Sequence, residues 1–106
     1  TSAMVQKAQQ LILQYYDQGI TLEEIAGKLV VSEEYLSTQF KKETGMTFSE
    51  TVRKYRVEKV KKLLLETPFK LNQIAELAGY SDSKYMSKVF KEEVGMLPSE
   101  YRKSLH

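Results

Sequence analysis

The chain has 106 residues, enough for one ordinary domain or two very small ones, and its 42% hydrophobic and 28% charged residues describe a folded chain, not a disordered one. The absence of cysteine excludes a disulfide framework and any thiolate metal site, and no run of about 18 apolar residues offers a membrane span. The formal net charge is only +2, but it is unevenly spread: Ile20 to Glu50 carries three Lys against six Glu, whereas Thr51 to Thr67 carries six Lys and Arg against two Glu.

The first helix is expected from about Met4 to Gln18. Val5, Ala8, Ile12 and Tyr15, with Leu11 alongside, recur at three- and four-residue steps, and Gly19 is placed to end it. Thr21 and Glu24 have the spacing of a capping box that satisfies two orphan N–H groups, opening a helix to about Leu29 with Leu22, Ile25, Ala26 and Leu29 on one face. The next helix begins near Ser32, a good N-cap, and stops at Gly45. Two short helices joined by three or four residues form the helix-turn-helix pattern, and small Ala26 lets them cross closely. Leu36 and Phe40 point inward, leaving Glu34, Ser37, Thr38 and Lys41 at i, i+3, i+4 and i+7 on an outer face.

A basic helix follows from Thr47 to about Glu66, with Thr47 and Glu50 as a second capping box. Phe48, Val52, Tyr55, Val57, Val60, Leu63 and Leu64 form its apolar stripe, Lys and Arg fill its other faces, and Pro68 ends it. About eighteen residues make it roughly 27 Å long. Beyond it the first pattern returns from Leu71. The offset is 49 residues up to Ser32/Ser81 and 50 from Tyr35/Tyr85 onward, so the second copy holds one extra residue. Here Gly79 sits in the turn, Ser81 is the expected cap, Tyr85, Met86, Val89 and Phe90 are the expected core contacts, and Lys84, Ser87, Lys88 and Lys91 repeat the outer face. Pro98 fits the first position of a last short helix with Tyr101 and Arg102.

A repeated helix-turn-helix on either side of a straight basic helix presents one tool twice. Successive major-groove segments on one face of B-DNA are about 34 Å apart, which a rigid spacer of this length can match. Six residues are therefore candidate base readers: Glu34, Ser37 and Thr38 in the first copy, Lys84, Ser87 and Lys88 in the second. Ser32, Lys41, Arg53, Lys54, Ser81 and Lys91 are candidate phosphate contacts, which position a protein without reading sequence. Glu33 and Glu34 also suit a helix N-terminus electrostatically. No catalytic cluster, metal-ligand set or cofactor motif can be assembled; the lone His106 is the last residue. The tyrosines and phenylalanines fall on core stripes, which argues against a base-stacking platform. The rival reading is a helical protein-interaction module without DNA specificity.

These residues resemble the DNA-binding domain of the AraC/XylS transcription regulators over about Leu11 to Lys103. The second copy from Ile74 to Arg102 carries the most specific match, with Tyr35 to Gly45 of the first. The resemblance implies an all-α, homeodomain-like fold of about seven helices: a first unit near 4–46, a spacer near 47–66 and a second unit near 70–104. It also implies binding of double-stranded promoter DNA in the cytoplasm, contact with RNA polymerase, and an effector or dimerisation domain elsewhere in a longer chain, of which this would be a fragment. One residue departs from the pattern. Val30 stands where many relatives have glycine, and a β-branched residue resists positive φ, so the first turn is expected to differ in shape.

Overall fold

The computed structural model describes all residues, 1–106, and is helical throughout its regular structure: α1 (Ala3–Tyr15), α2 (Leu22–Leu29), α3 (Glu33–Thr44), α4 (Phe48–Glu66), α5 (Leu71–Ala78), α6 (Ser83–Val94) and α7 (Pro98–Leu105). The seven helices and the two helix-turn-helix pairs, α2–α3 and α5–α6, match the sequence expectation. Contacts divide the chain within α4 into a first unit, Thr1–Tyr55, and a second, Arg56–His106.

In the first unit the core gathers Val5, Ala8 and Ile12 of α1, Ile25 and Ala26 of α2, Leu36 and Phe40 of α3, and Val52 of α4. Ala26 is buried where α2 meets α3, as its short side chain requires. The unit is fastened at its start. The Ser2 hydroxyl accepts the Val5 N–H at 3.2 Å to cap α1, while its own N–H and O–H donate to the Glu43 carboxylate at 2.6 and 3.0 Å. The Ser2 N–H is the main cause holding the Glu43 carboxyl below its ordinary value. The first helix is shorter than its apolar period suggested. It closes at Tyr15, and Tyr16–Gln18 tighten into a 3₁₀ turn before Gly19 turns left-handed.

In the second unit Ile74, Ala75 and Ala78 of α5 and Met86, Val89 and Phe90 of α6 pack with Val57, Val60 and Leu64 of α4. This places the end of α4 in the role that α1 has in the first unit. Val57, Val60 and Leu64 repeat the i, i+3, i+7 spacing of Val5, Ala8 and Ile12. The internal repeat is thus three helices long. Its leading helix escapes sequence comparison because only burial, not residue identity, is repeated.

Arg102 closes the second unit. Its guanidinium donates to the carbonyls of Leu64, Phe69 and Thr67 at 3.2, 2.8 and 3.1 Å, so α7 is tied to the α4–α5 connection. A planar fork with several donors suits this triple contact. The matching position in the first unit is the buried Val52.

Two capping boxes were expected in the first half. Thr47 and Glu50 form one in full: the Glu50 N–H donates to the Thr47 hydroxyl at 3.0 Å, and the Thr47 N–H donates to the Glu50 carboxylate at 3.0 Å. These bonds hold the Glu50 carboxyl below its ordinary value, the Thr47 N–H contributing most. At Thr21 the box is half made. The hydroxyl accepts the Glu24 N–H at 3.1 Å, but Glu24 takes its bond from that hydroxyl, at 3.0 Å, instead of from the Thr21 N–H.

Candidate nucleic-acid interface

Each outer face depends on the turn before it, and the two turns close in the same way. The Val31 N–H donates to the Ala26 carbonyl at 3.0 Å, and the Tyr80 N–H to the Ala75 carbonyl at 2.9 Å. Both need a left-handed residue just after the helix, supplied by Val30 at φ 56° and by Gly79 at φ 93°. The expected difference in shape at Val30 is not present. Its valine adopts the glycine-like conformation, and the bond it permits offsets a strain of about 1–2 kcal/mol. Val30 is 89% exposed, so its branched side chain meets no packing obstacle.

The caps differ, and the difference accounts for the extra residue. Ser32 caps α3, its hydroxyl accepting the Tyr35 N–H at 3.1 Å. In the second unit Asp82 is the cap, its carboxylate accepting the Tyr85 N–H at 2.7 Å. Ser81 therefore does not cap α6, contrary to the sequence expectation; it is the inserted residue, and the true partner of Ser32 is Asp82, 50 residues on. The sequence favoured Ser81 because it matched serine with serine, whereas a carboxylate caps equally well. The Ser32 hydroxyl still has its proton to donate outward, which Asp82 lacks. In the second unit that donor capacity moves to exposed Ser81.

From these caps the two faces emerge in register. Glu34, Ser37, Thr38 and Lys41 are all exposed on α3. Lys84, Lys88 and Lys91 are exposed on α6, with Ser87 half-buried among them. Arg53 and Lys54 are exposed on α4. The structure thus gathers the six candidate readers onto two helices, α3 and α6, and leaves the phosphate candidates Ser32, Lys41, Arg53, Lys54, Ser81 and Lys91 exposed. The faces differ in charge. The first has one Glu and one Lys, and its Lys41 ammonium donates to the Gly45 carbonyl at 3.0 Å and lies 3.9 Å from Glu50. The second has three Lys, none with an ion pair or hydrogen bond inside the chain.

One expectation about the aromatics fails. Tyr85 is not a core contact: it is 52% exposed, and Tyr35 at the matching place is 53% exposed. The core stripes run instead through Leu36 and Phe40 and through Met86, Val89 and Phe90. Spacing carried the signal. Position 35 lies about 100° round the helix from position 36, away from the buried stripe, and about 100° from Glu34. No group of three or more His, Cys, Asp or Glu is arranged to hold a metal ion, and no helix is long and apolar enough to cross a membrane.

Residues 25–104 match a family model described as a helix-turn-helix domain. The chain is 40% identical over 87 residues to an uncharacterised HTH-type transcriptional regulator of Bacillus subtilis, YtdP, covering 82% of this chain and 11% of that protein. It is 31% identical over 105 residues to the Msm operon regulatory protein of Streptococcus mutans, covering 99% of this chain and 38% of that one. Among solved structures, the C-terminal domain of AraT, a response regulator from Geobacillus stearothermophilus, superposes with a TM-score of 0.94 at 39% identity, covering 97% of this chain and 86% of that chain. The chain therefore spans a minor part, 11% and 38%, of the two curated relatives.

Proposed function

The chain belongs to the AraC-type helix-turn-helix domains, the DNA-binding domains of transcription regulators, and from that premise we propose that α3 and α6 each enter the major groove at successive segments of one promoter. The observation that carries this reading is the pair of matched outer faces, Glu34–Ser37–Thr38 and Lys84–Ser87–Lys88, built on turns closed by the same bond. A helix offers such a face to base edges, and Lys or hydroxyl side chains can donate to guanine O6 and N7 or accept from amino groups. Glu34 is suited to accept from a cytosine amino group. Ser32, Lys41, Arg53, Lys54, Ser81 and Lys91 take the phosphates on either side.

Two further parts of the proposal follow from kinship. The chain works in the cytoplasm as a portion of a longer regulator whose remaining part senses a signal or dimerises, and it meets RNA polymerase at the promoter. Its role is binding, not catalysis, as in the transcription regulators it matches.

The test is selection of bound sequences from a random duplex library at two salt concentrations. Two enriched elements at a fixed spacing of about one helical turn, with binding that weakens steeply as salt rises, are expected. Enrichment of one element only removes the role given to one unit. No enrichment at either salt replaces this reading with the protein-interaction module.

A further inference from the structure

Two large exposed side chains have no role in the reading above. Tyr35 and Tyr85 hold the same third position of α3 and α6, 50 residues apart, and are exposed to nearly the same extent, 53% and 52%. Each sits on the shoulder of its helix, between the buried stripe and the outer face. Neither phenol oxygen has a hydrogen-bond partner in the chain. A helix that turns its outer face to base edges turns its shoulders to the groove walls, which are phosphate and deoxyribose. A tyrosine suits such a wall, because its ring packs on sugar while its hydroxyl donates to an anionic oxygen.

Resting on the DNA-reading role of α3 and α6, we propose that Tyr35 and Tyr85 are backbone-anchoring residues whose hydroxyls donate to DNA phosphate oxygens at the rim of each reading face. The two anchors are unequal. The Tyr85 ring meets the Tyr80 ring edge-on, with centroids 6.0 Å apart at 63°. Tyr80 is itself buried and lies beneath the Arg56 guanidinium, 5.6 Å from the ring centroid. Tyr85 is thus supported from behind by a stack that begins on α4. In the first unit the residue that closes the turn in place of Tyr80 is Val31, so Tyr35 has no such ring behind it. A side chain already held in place loses less freedom on binding. Tyr85 is accordingly the stronger anchor, and the Arg56–Tyr80 pair is a positioning device for it.

The experiment uses Tyr85→Phe and Tyr35→Phe in the full chain, on the selected duplex and on a scrambled one. Removal of an exposed hydroxyl leaves thermal unfolding unchanged, which is measured alongside. Tyr85→Phe weakens both duplexes by roughly tenfold and alike, as expected for a donor to a charged acceptor, and Tyr35→Phe by less. The preference for the selected duplex stays at the wild-type value. Replacing phosphates one at a time with neutral methylphosphonate identifies a position at which wild type and Tyr85→Phe bind equally. Wild-type affinity in Tyr85→Phe overturns the proposal, as does a loss confined to the selected duplex, which would place the ring against a base. Lys88→Ala tests the underlying reading separately. If it loses the sequence preference while Tyr85→Phe binds normally, only the anchor fails; if the wild-type chain shows no preference, both fail.

Discussion

The two units share an interior and differ at their surfaces. Leu36 and Phe40 have buried counterparts in Met86 and Phe90, and Ala26 has one in Ala75. The same turn-closing bond appears twice, once with a valine in the left-handed position and once with a glycine. Outside this frame Tyr35/Tyr85, Ser37/Ser87 and Lys41/Lys91 recur, but the charge does not. The first outer face is neutral and its lysine is engaged by Gly45 and Glu50, whereas the second carries three unengaged lysines. A buried apolar core fixes where each helix lies, and leaves its outer residues free to be acidic or basic. One scaffold can therefore aim two different chemical surfaces.

The comparison predicts where the units will fail differently. Arg102→Ala should have the largest effect, destabilising the second unit by about 2–4 kcal/mol, because three backbone carbonyls lose one charged donor. Hydrogen exchange should report the loss in residues of α5 to α7, and an unchanged pattern there would show that the clamp is dispensable. Lys88→Ala should come next, costing about 1–3 kcal/mol on the selected duplex and relaxing one element only. Thr38→Ala should cost less and relax the other element. Equal losses on matched and scrambled duplexes would move Lys88 from the base readers to the phosphate contacts.

Smaller effects probe the turns and the caps. Val30→Gly should stabilise by about 1 kcal/mol through release of left-handed strain, and Gly79→Val should destabilise by at least that much. Denaturant midpoints of the two variants moving in the same direction would contradict the strain account. The smallest effect concerns acid. Glu43 and Glu50 are both held below their ordinary value by backbone N–H donors, and both belong to the first unit. A carboxylate depressed in the folded state contributes stability above its unfolded pKa of about 4.3 and loses that contribution as pH falls through the folded value. Protection of the Ser2 and Thr47 amides, whose N–H groups these carboxylates accept, should therefore fall in acid when exchange is measured relative to the intrinsic rate at each pH, and Glu50→Gln should lose that response at Thr47.

The helices were legible in the sequence because period, caps and stops agreed. The Thr47–Glu50 box, Gly45 and Pro98 all stand where their chemistry placed them. The outer faces were legible for the same reason, since a 3.6-residue period fixes what shares a side. The failures were local. Matching serine with serine points to Ser81 as the cap and hides the inserted residue, whereas the cap is Asp82. Residue type suggests the core for Tyr85, but its angular position on the helix turns it away from the buried stripe. The intrinsic reluctance of Val30 to take positive φ is visible in the sequence, but the bond that its turn gains is not. The leading helix of each unit repeats only a pattern of burial, which aligned letters do not display.

Methylation interference on the selected duplex, which blocks guanine N7 in the major groove, tests most directly whether both units read DNA. The account predicts two clusters of interfering guanines about one helical turn apart for the wild-type chain, and loss of one cluster alone in Lys88→Ala. A single cluster in the wild type, or two clusters that Lys88→Ala leaves intact, would contradict it.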